Sequence, residues 1–167
     1  MLDEGDLEIE IINNGAKTDL YRNPDYVSLY RYENPTRPYN EEREGIVSKR
    51  ELIGGWYTDS FADLSAYTRT RIKGQRGGRF VVVRIKKEDL DKYDATKLPE
   101  TRDMDIESGN YMIPPSVGIN SRVEVSGIFK DSWEGKRNIP LSEWKEIGEY
   151  IQNNLSDEAI ISQLKGR

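Results

Sequence analysis

The sequence predicts an α+β fold, with strands filling most of the chain and helices closing it. Three observations lead there. Phe80-Val81-Val82-Val83 is a continuous apolar run of strand length, as expected of a central strand buried on both faces. Gly54-Gly55-Trp56-Tyr57-Thr58-Asp59-Ser60-Phe61-Ala62 reads as a glycine pair, a short aromatic strand, a polar turn and the opening of a helix. Residues 140 to 164 carry two amphipathic helical patterns. A chain of 167 residues is long enough for one domain with a real core.

Composition narrows the chemistry before any motif does. The net charge is −5, which disfavours nonspecific nucleic-acid binding because that needs many phosphate contacts. Histidine and cysteine are both absent. Thiolates, disulfides, histidine ligands and every nucleophile activated by histidine are therefore excluded. Catalysis would rest on carboxylates, hydroxyls, arginine, lysine or a bound cofactor. No metal is expected. Ten Tyr, three Trp and three Phe can build the core that a modest aliphatic content would not. There is no apolar run near 18 residues and no signal-peptide pattern, so no membrane partner and a cytoplasmic location are expected, in its own cell or after delivery into a host cell.

Taken in order, Leu7 to Ile12 alternates apolar and acidic residues and meets the turn signal Asn13-Asn14-Gly15. It reads as an edge strand or lead-in, with residues 16 to 26 irregular. Val27 to Tyr32 is the first convincing strand. Its alternation places Val27, Leu29 and Arg31 on one face and Ser28, Tyr30 and Tyr32 on the other. Arg31 either reaches solvent at the strand end or points into a polar cleft, where a guanidinium suits a phosphate or a ribose.

Asn34 to Tyr39 leaves this strand as an extended, proline-marked loop, and Glu41 to Glu51 is a short helix or a covering loop. Leu52 to Thr58 is the next strand. Ser60 caps a helix reaching about Lys73, with Asp63 three residues on as its partner. Phe61, Leu64, Tyr67 and Ile72 lie near one face of that helix. Lys73 to Gly78 is a basic glycine-rich turn whose spacing fits neither the Walker nor the dinucleotide pattern.

Arg79 to Ile85 is the strongest strand, and Lys86 to Tyr93 a charged turn or single helical turn. Residues 94 to 104 form a loop. Asp105 to Pro115 holds a short strand stopped by two prolines. Arg122 to Phe129 is a further strand, with Val123 and Val125 against Arg122 and Glu124. Pro140 and Ser142 open a helix with Trp144, Ile147 and Ile151 in one stripe. Ser156 opens a second, with Ala159, Ile160 and Leu164. This pair is expected to be an appendage, an oligomerisation surface or a protein dock. A DNA-reading helix pair is disfavoured, since its second helix has no basic cluster before Lys165.

The order of these pieces resembles the ADP-ribosyltransferase fold, in particular the Arg-Ser-Glu class of bacterial and phage transferases, toxins and effectors among them. Leu29-Tyr30-Arg31 is similar to that family's first strand. Trp56-Tyr57-Thr58-Asp59-Ser60 looks like its aromatic-Ser-Thr segment, followed by a helix with Ala62, Ala66 and Tyr67. Tyr111-Met112-Ile113-Pro114 looks like the strand after the catalytic glutamate. The resemblance covers residues 27 to 129 and implies a split, mostly antiparallel sheet with a cleft between its halves. The domain would run from 27 to 130, after a lead-in over 1 to 26 and before C-terminal helices over 138 to 167.

The resemblance implies a mono-ADP-ribosyltransferase or NAD glycohydrolase, with NAD as substrate and a protein or nucleic acid as acceptor. Arg31 would hold the pyrophosphate. Thr58, or Ser60, would bind the nicotinamide ribose or hold the glutamate. Trp56 or Tyr67 would pack near the nicotinamide. Where the family has its glutamate, this chain has Asn110. An amide cannot carry the charge that steadies a ribosyl cation, though it can hydrogen-bond a ribose hydroxyl. Glu107 is the nearest glutamate, and a shift in strand register or a bulge at Gly109 would present it instead. Otherwise Asp105 and Glu107 are solvated loop carboxylates, and the domain is a silent module that binds NAD, ADP-ribose or a protein, with residues 140 to 164 as a protein-binding surface.

Overall fold

The computed structural model describes residues 4–33, 55–71, 79–99, 105–126 and 141–166. In chain order the elements are α1 (Glu4–Arg22), β1 (Tyr26–Glu33), β2 (Gly55–Thr58), α2 (Phe61–Arg71), β3 (Arg79–Lys86), a short turn of helix ending in α3 (Leu90–Tyr93), β4 (Asn110–Ile113), α4 (Pro115–Gly118), β5 (Val123–Ser126), α5 (Leu141–Leu155) and α6 (Asp157–Lys165). The readings for residues 34 to 54, 72 to 78 and 127 to 140 lie outside the described residues. So does Ile72.

The strands form one five-stranded antiparallel sheet in the order β4-β2-β1-β3-β5. β1 is the central strand and β3 an interior strand between β1 and β5, where Val81, Val82 and Val83 are buried as expected. β1 and β3 pair along their full length, from Tyr26↔Lys86 to Glu33↔Arg79. β1 and β2 meet at one register pair only, Tyr30↔Thr58. The ladder does not continue to Arg31 and Tyr57, although both strands do. A seam therefore separates β4-β2 from β1-β3-β5 along Arg31 to Glu33 and Gly55 to Tyr57.

The sheet buries apolar residues on both faces. One face packs Tyr30, Tyr32, Phe80, Val82, Val123 and Val125 against the helices. The other gathers Leu29, Tyr57, Val81, Val83, Ile85 and Ile113.

Two expectations are corrected at the chain ends. Residues 4 to 22 are a helix, not an edge strand followed by irregular chain. Period-2 alternation over six residues is too short a signal to resist tertiary packing. A glycine within a helix costs only about 1 kcal/mol, so Asn13-Asn14-Gly15 does not break it. Tyr21 near its end is in the core, and its hydroxyl donates to the Ser121 carbonyl at 3.1 Å. At the other end, α5 and α6 are not an appendage. Ile147, Ile151, Leu155, Ile160 and Leu164 lie in one cluster with Tyr30, Phe80 and Val82. The apolar stripe offered to a partner is the stripe that covers the sheet.

Smaller corrections follow from side-chain direction. On α2 the inward residues are Leu64, Ser65 and Thr68, while Tyr67 is exposed. Thr68 returns its hydroxyl proton to the Leu64 carbonyl at 2.6 Å, which lets a polar residue sit inside a helix interface. Ser142 lies within α5 rather than ahead of it, whereas Ser156 caps α6 by accepting from the Ala159 amide at 3.2 Å.

Candidate functional site

Strand register decides which predicted residues meet. Thr58 pairs with Tyr30 on one side and with Asn110 on the other. Directly paired residues share a face, so Tyr30, Thr58 and Asn110 form one row. Arg31 follows Tyr30 and points to the opposite face. The expectation that Arg31 and Thr58 line a common wall is therefore corrected. Trp56 alternates onto the face of Thr58, opposite Met112.

Thr58 and Ser60 are occupied locally. Thr58 Oγ1 accepts from the Ser60 amide at 3.2 Å, and Ser60 Oγ accepts from the Asp63 amide at 3.2 Å. Both hydroxyls close the strand-to-helix turn. Ser60 caps α2 as expected.

Glu107 is not brought to Arg31. It is exposed and lies outside β4. Its backbone carbonyl accepts from Asn110 Nδ2 at 3.0 Å. β4 runs antiparallel to β2 and Asn110 pairs with Thr58, so Glu107 lies beyond the Thr58 end of β2, three residues past the last pair. Tyr67 on α2 is likewise apart from Arg31's face.

What does gather around Arg31 is a charged cluster on the face of Leu29. Glu33 is its centre, with a side chain 5% exposed. Arg79 approaches Glu33 at 2.8 Å and Arg122 at 3.1 Å. The same two arginines reach Glu124 at 3.0 and 3.1 Å. Arg79, Glu33, Arg122 and Glu124 thus close a ring of alternating charge. Burial pushes the Glu33 carboxyl up, but the hydrogen bonds and charges of Arg79 and Arg122 outweigh it and hold it below its ordinary value.

Arg31 stands outside this ring. Its Nε is 3.9 Å from Glu33 Oε1 and has no hydrogen-bond acceptor among the described residues. Within this cluster of described residues three guanidiniums meet two carboxylates, and Arg31 is the least engaged of the three. The Tyr57 phenol lies beside it. Burial raises its pKa, and the nearby Arg122 and Arg31 charges offset part of the rise.

The same face continues toward the Thr58 end. There the Asp59 amide donates to the Gly109 carbonyl at 3.2 Å. Tyr111 packs against the Leu29 and Tyr57 cluster. Burial first, then Asp59 and Asp94, raise the Tyr111 pKa, which keeps the phenol a proton donor.

Gly109 makes this corner possible. Its φ is +87°, and a Cβ there would stand 2.8 Å from Asp59 Oδ1. Gly109→Ala is expected to cost about 1 kcal/mol or more, from the left-handed backbone and the displaced carboxylate together. A thermal melt checks it, and an unchanged Tm would show that Asp59 moves away freely.

Glu33, Tyr57, Asp59, Arg79 and Arg122 were not singled out from the sequence. Part of the signal was there. Continuing the Val27-Leu29-Arg31 alternation by one step reaches Glu33, and Arg122 and Glu124 were already on one side of their strand. No family model, curated protein or solved structure matches this chain.

Proposed function

We propose that this is a domain of the ADP-ribosyltransferase type that takes NAD at the seam between β1 and β2 and cleaves its nicotinamide-ribose bond. The observation that carries this is Arg31. It is a guanidinium beside a self-compensated ion-pair ring, at the place where the sheet ladder stops, with Tyr57 alongside. Such a group is ready for a pyrophosphate, which accepts two parallel hydrogen bonds from the planar fork. Further support comes from the arrangement of the three resembling strands. They are neighbours in the sheet, in the order β4-β2-β1.

Titration of ADP-ribose into the protein tests the binding half. Arg31→Ala is expected to weaken affinity about 10- to 100-fold, the worth of a charge-assisted contact. Arg31→Lys should recover only part, because an ammonium lacks the fork. Equal affinity in wild type and Arg31→Ala would overturn the reading.

Asn110 supports a second reading, a silent module that holds NAD or ADP-ribose without cleaving it. Binding without nicotinamide release, together with a gain of release in Asn110→Glu, would select that reading.

A further inference from the structure

Three arginines surround the buried Glu33, and they are not engaged alike. Arg79 spends every nitrogen of its guanidinium on the ring. Its Nε and Nη2 reach Glu33 Oε2 at 2.9 and 2.8 Å, and its Nη1 reaches Glu124 Oε2 at 3.0 Å. Arg122 is held along one edge only. Its Nε and Nη2 donate to Glu124 Oε1 at 3.2 and 3.1 Å, and Nη2 also donates to Glu33 Oε1 at 3.1 Å. Its Nη1 bonds neither carboxylate. Arg31 is held least, with its Nε 3.9 Å from Glu33 Oε1 and without a hydrogen-bond acceptor among the described residues. Arg31 and Arg122 are both partly exposed, whereas Glu33 beneath them is buried.

The two less engaged guanidiniums converge. Arg31 Nε and Arg122 Nη2 approach the same atom, Glu33 Oε1, so these nitrogens lie within about 7 Å of each other, at most the sum of the two distances. Like charges this close repel, and the carboxylate oxygen between them offsets the repulsion. The same oxygen decides which anion fits. A single phosphate placed between the two arginines meets the Glu33 charge. Two linked phosphates, one at the free edge of each guanidinium, straddle it. Each then accepts charge-assisted hydrogen bonds from a planar donor. Neither Arg122 nor Glu33 lies in the three segments that carry the resemblance to known transferases.

We infer that Arg122 is a second anion-holding arginine at the seam, paired with Arg31 across Glu33, and that the pair selects a diphosphate over a monophosphate. The inference deepens the reading of Arg31 as the holder of a pyrophosphate and rests on it. Glu33 positions both arginines, and Arg79 holds Glu33.

The experiment titrates inorganic pyrophosphate, inorganic phosphate and ADP-ribose into wild type, Arg31→Ala, Arg122→Lys, Arg122→Gln and Arg79→Lys. The wild type should bind pyrophosphate about 10-fold or more tightly than phosphate, the worth of one further charge-assisted contact. Arg122→Lys keeps the charge but loses the planar fork, and should weaken pyrophosphate and ADP-ribose about 10-fold while leaving phosphate within about twofold. Arg122→Gln should weaken them further. Arg79→Lys touches the same two carboxylates, so it reports what disturbing the ring alone does. It should leave pyrophosphate within about twofold of wild type. Thermal melts identify any variant that has failed to fold, and the two Arg122 substitutions guard against losing one.

Equal losses in Arg79→Lys and Arg122→Lys would overturn the proposal, because Arg122 would then act only by holding the ring. So would equal affinity for phosphate and pyrophosphate, no pyrophosphate binding by the wild type, or pyrophosphate binding that responds to Arg31→Ala but to neither Arg122 variant. Pyrophosphate held through both arginines, with ADP-ribose failing to bind, would leave the diphosphate site standing and take away the NAD reading.

Discussion

Arg84→Ala is expected to lower stability by about 3 kcal/mol, the loss of a buried arginine with several partners at once. Arg84 is on the helix-covered face of β3, with a side chain 5% exposed. Its Nε donates to the Leu20 carbonyl at 3.1 Å and its Nη2 to the Asn23 carbonyl at 2.7 Å. Leu20 is in the last turn of α1 and Asn23 just past its end; their carbonyls also accept from the Asn23 amide at 3.3 Å and the Tyr26 amide at 3.2 Å. Its Nη1 donates to Ser28 Oγ at 3.1 Å and to Asp157 Oδ2 at 3.3 Å, at the start of α6. The guanidinium also lies 5.5 Å from the centre of the Tyr21 ring. One side chain therefore ties the first helix, the central strands and the last helix together. Removal takes one of the two donors from each of the Leu20 and Asn23 carbonyls and leaves a cavity beside Tyr21. Asp157 is 41% exposed, so the ion pair itself is the smaller part, and Asp157→Asn should cost no more than about 1 kcal/mol. Denaturant melts of the two variants decide it. Equal losses would mean that the ion pair, not the capping of α1, dominates.

Glu33→Gln is expected to cost about 2–3 kcal/mol near neutral pH, by breaking a buried ion pair whose other members remain charged. The cost is set below that of a fully buried pair because Arg79 and Arg122 are 35% and 33% exposed and partly screened. The amide offers one acceptor oxygen where the carboxylate offered two. The substitution should also change how stability responds to acid. The folded-state pKa of Glu33 is lowered from 4.5. Its contribution is therefore complete above about 4.5 and is lost as pH falls through the lower folded-state value. The wild type should lose stability to acid more steeply than Glu33→Gln below that point, and the two curves should converge. Parallel curves from pH 7 down to pH 3 would show that Glu33 is not ionised within the ring.

Much of this protein was legible from local pattern alone. The runs at Val27 to Tyr32 and Arg79 to Ile85, the helix after Ser60 and the paired C-terminal helices appear where their periodicity places them. Caps at Ser60 and Ser156 needed only the residues two or three positions away. Such features depend on neighbours within one turn or one strand, so the sequence by itself determined them. The state of residues 4 to 22 was a different matter. The alternation at their start favoured a strand, and packing of the helix that ends at Arg22 against the sheet and α6 overruled it.

The candidate site was decided almost wholly by tertiary structure. Arg31 and Thr58 were both recognisable, but their faces depend on the pairing Tyr30↔Thr58. A slip of one residue in that pairing would reverse the outcome. The Arg79–Glu33–Arg122–Glu124 ring joins three strands that are up to 91 residues apart in sequence, from Glu33 to Glu124. Asp59 meets Gly109 only because β4 pairs with β2, and the missing Cβ leaves room for the carboxylate. Local sequence sets which residues can stand on a strand. Register between distant strands, fixed by packing on both faces of the sheet, decides which of them stand together.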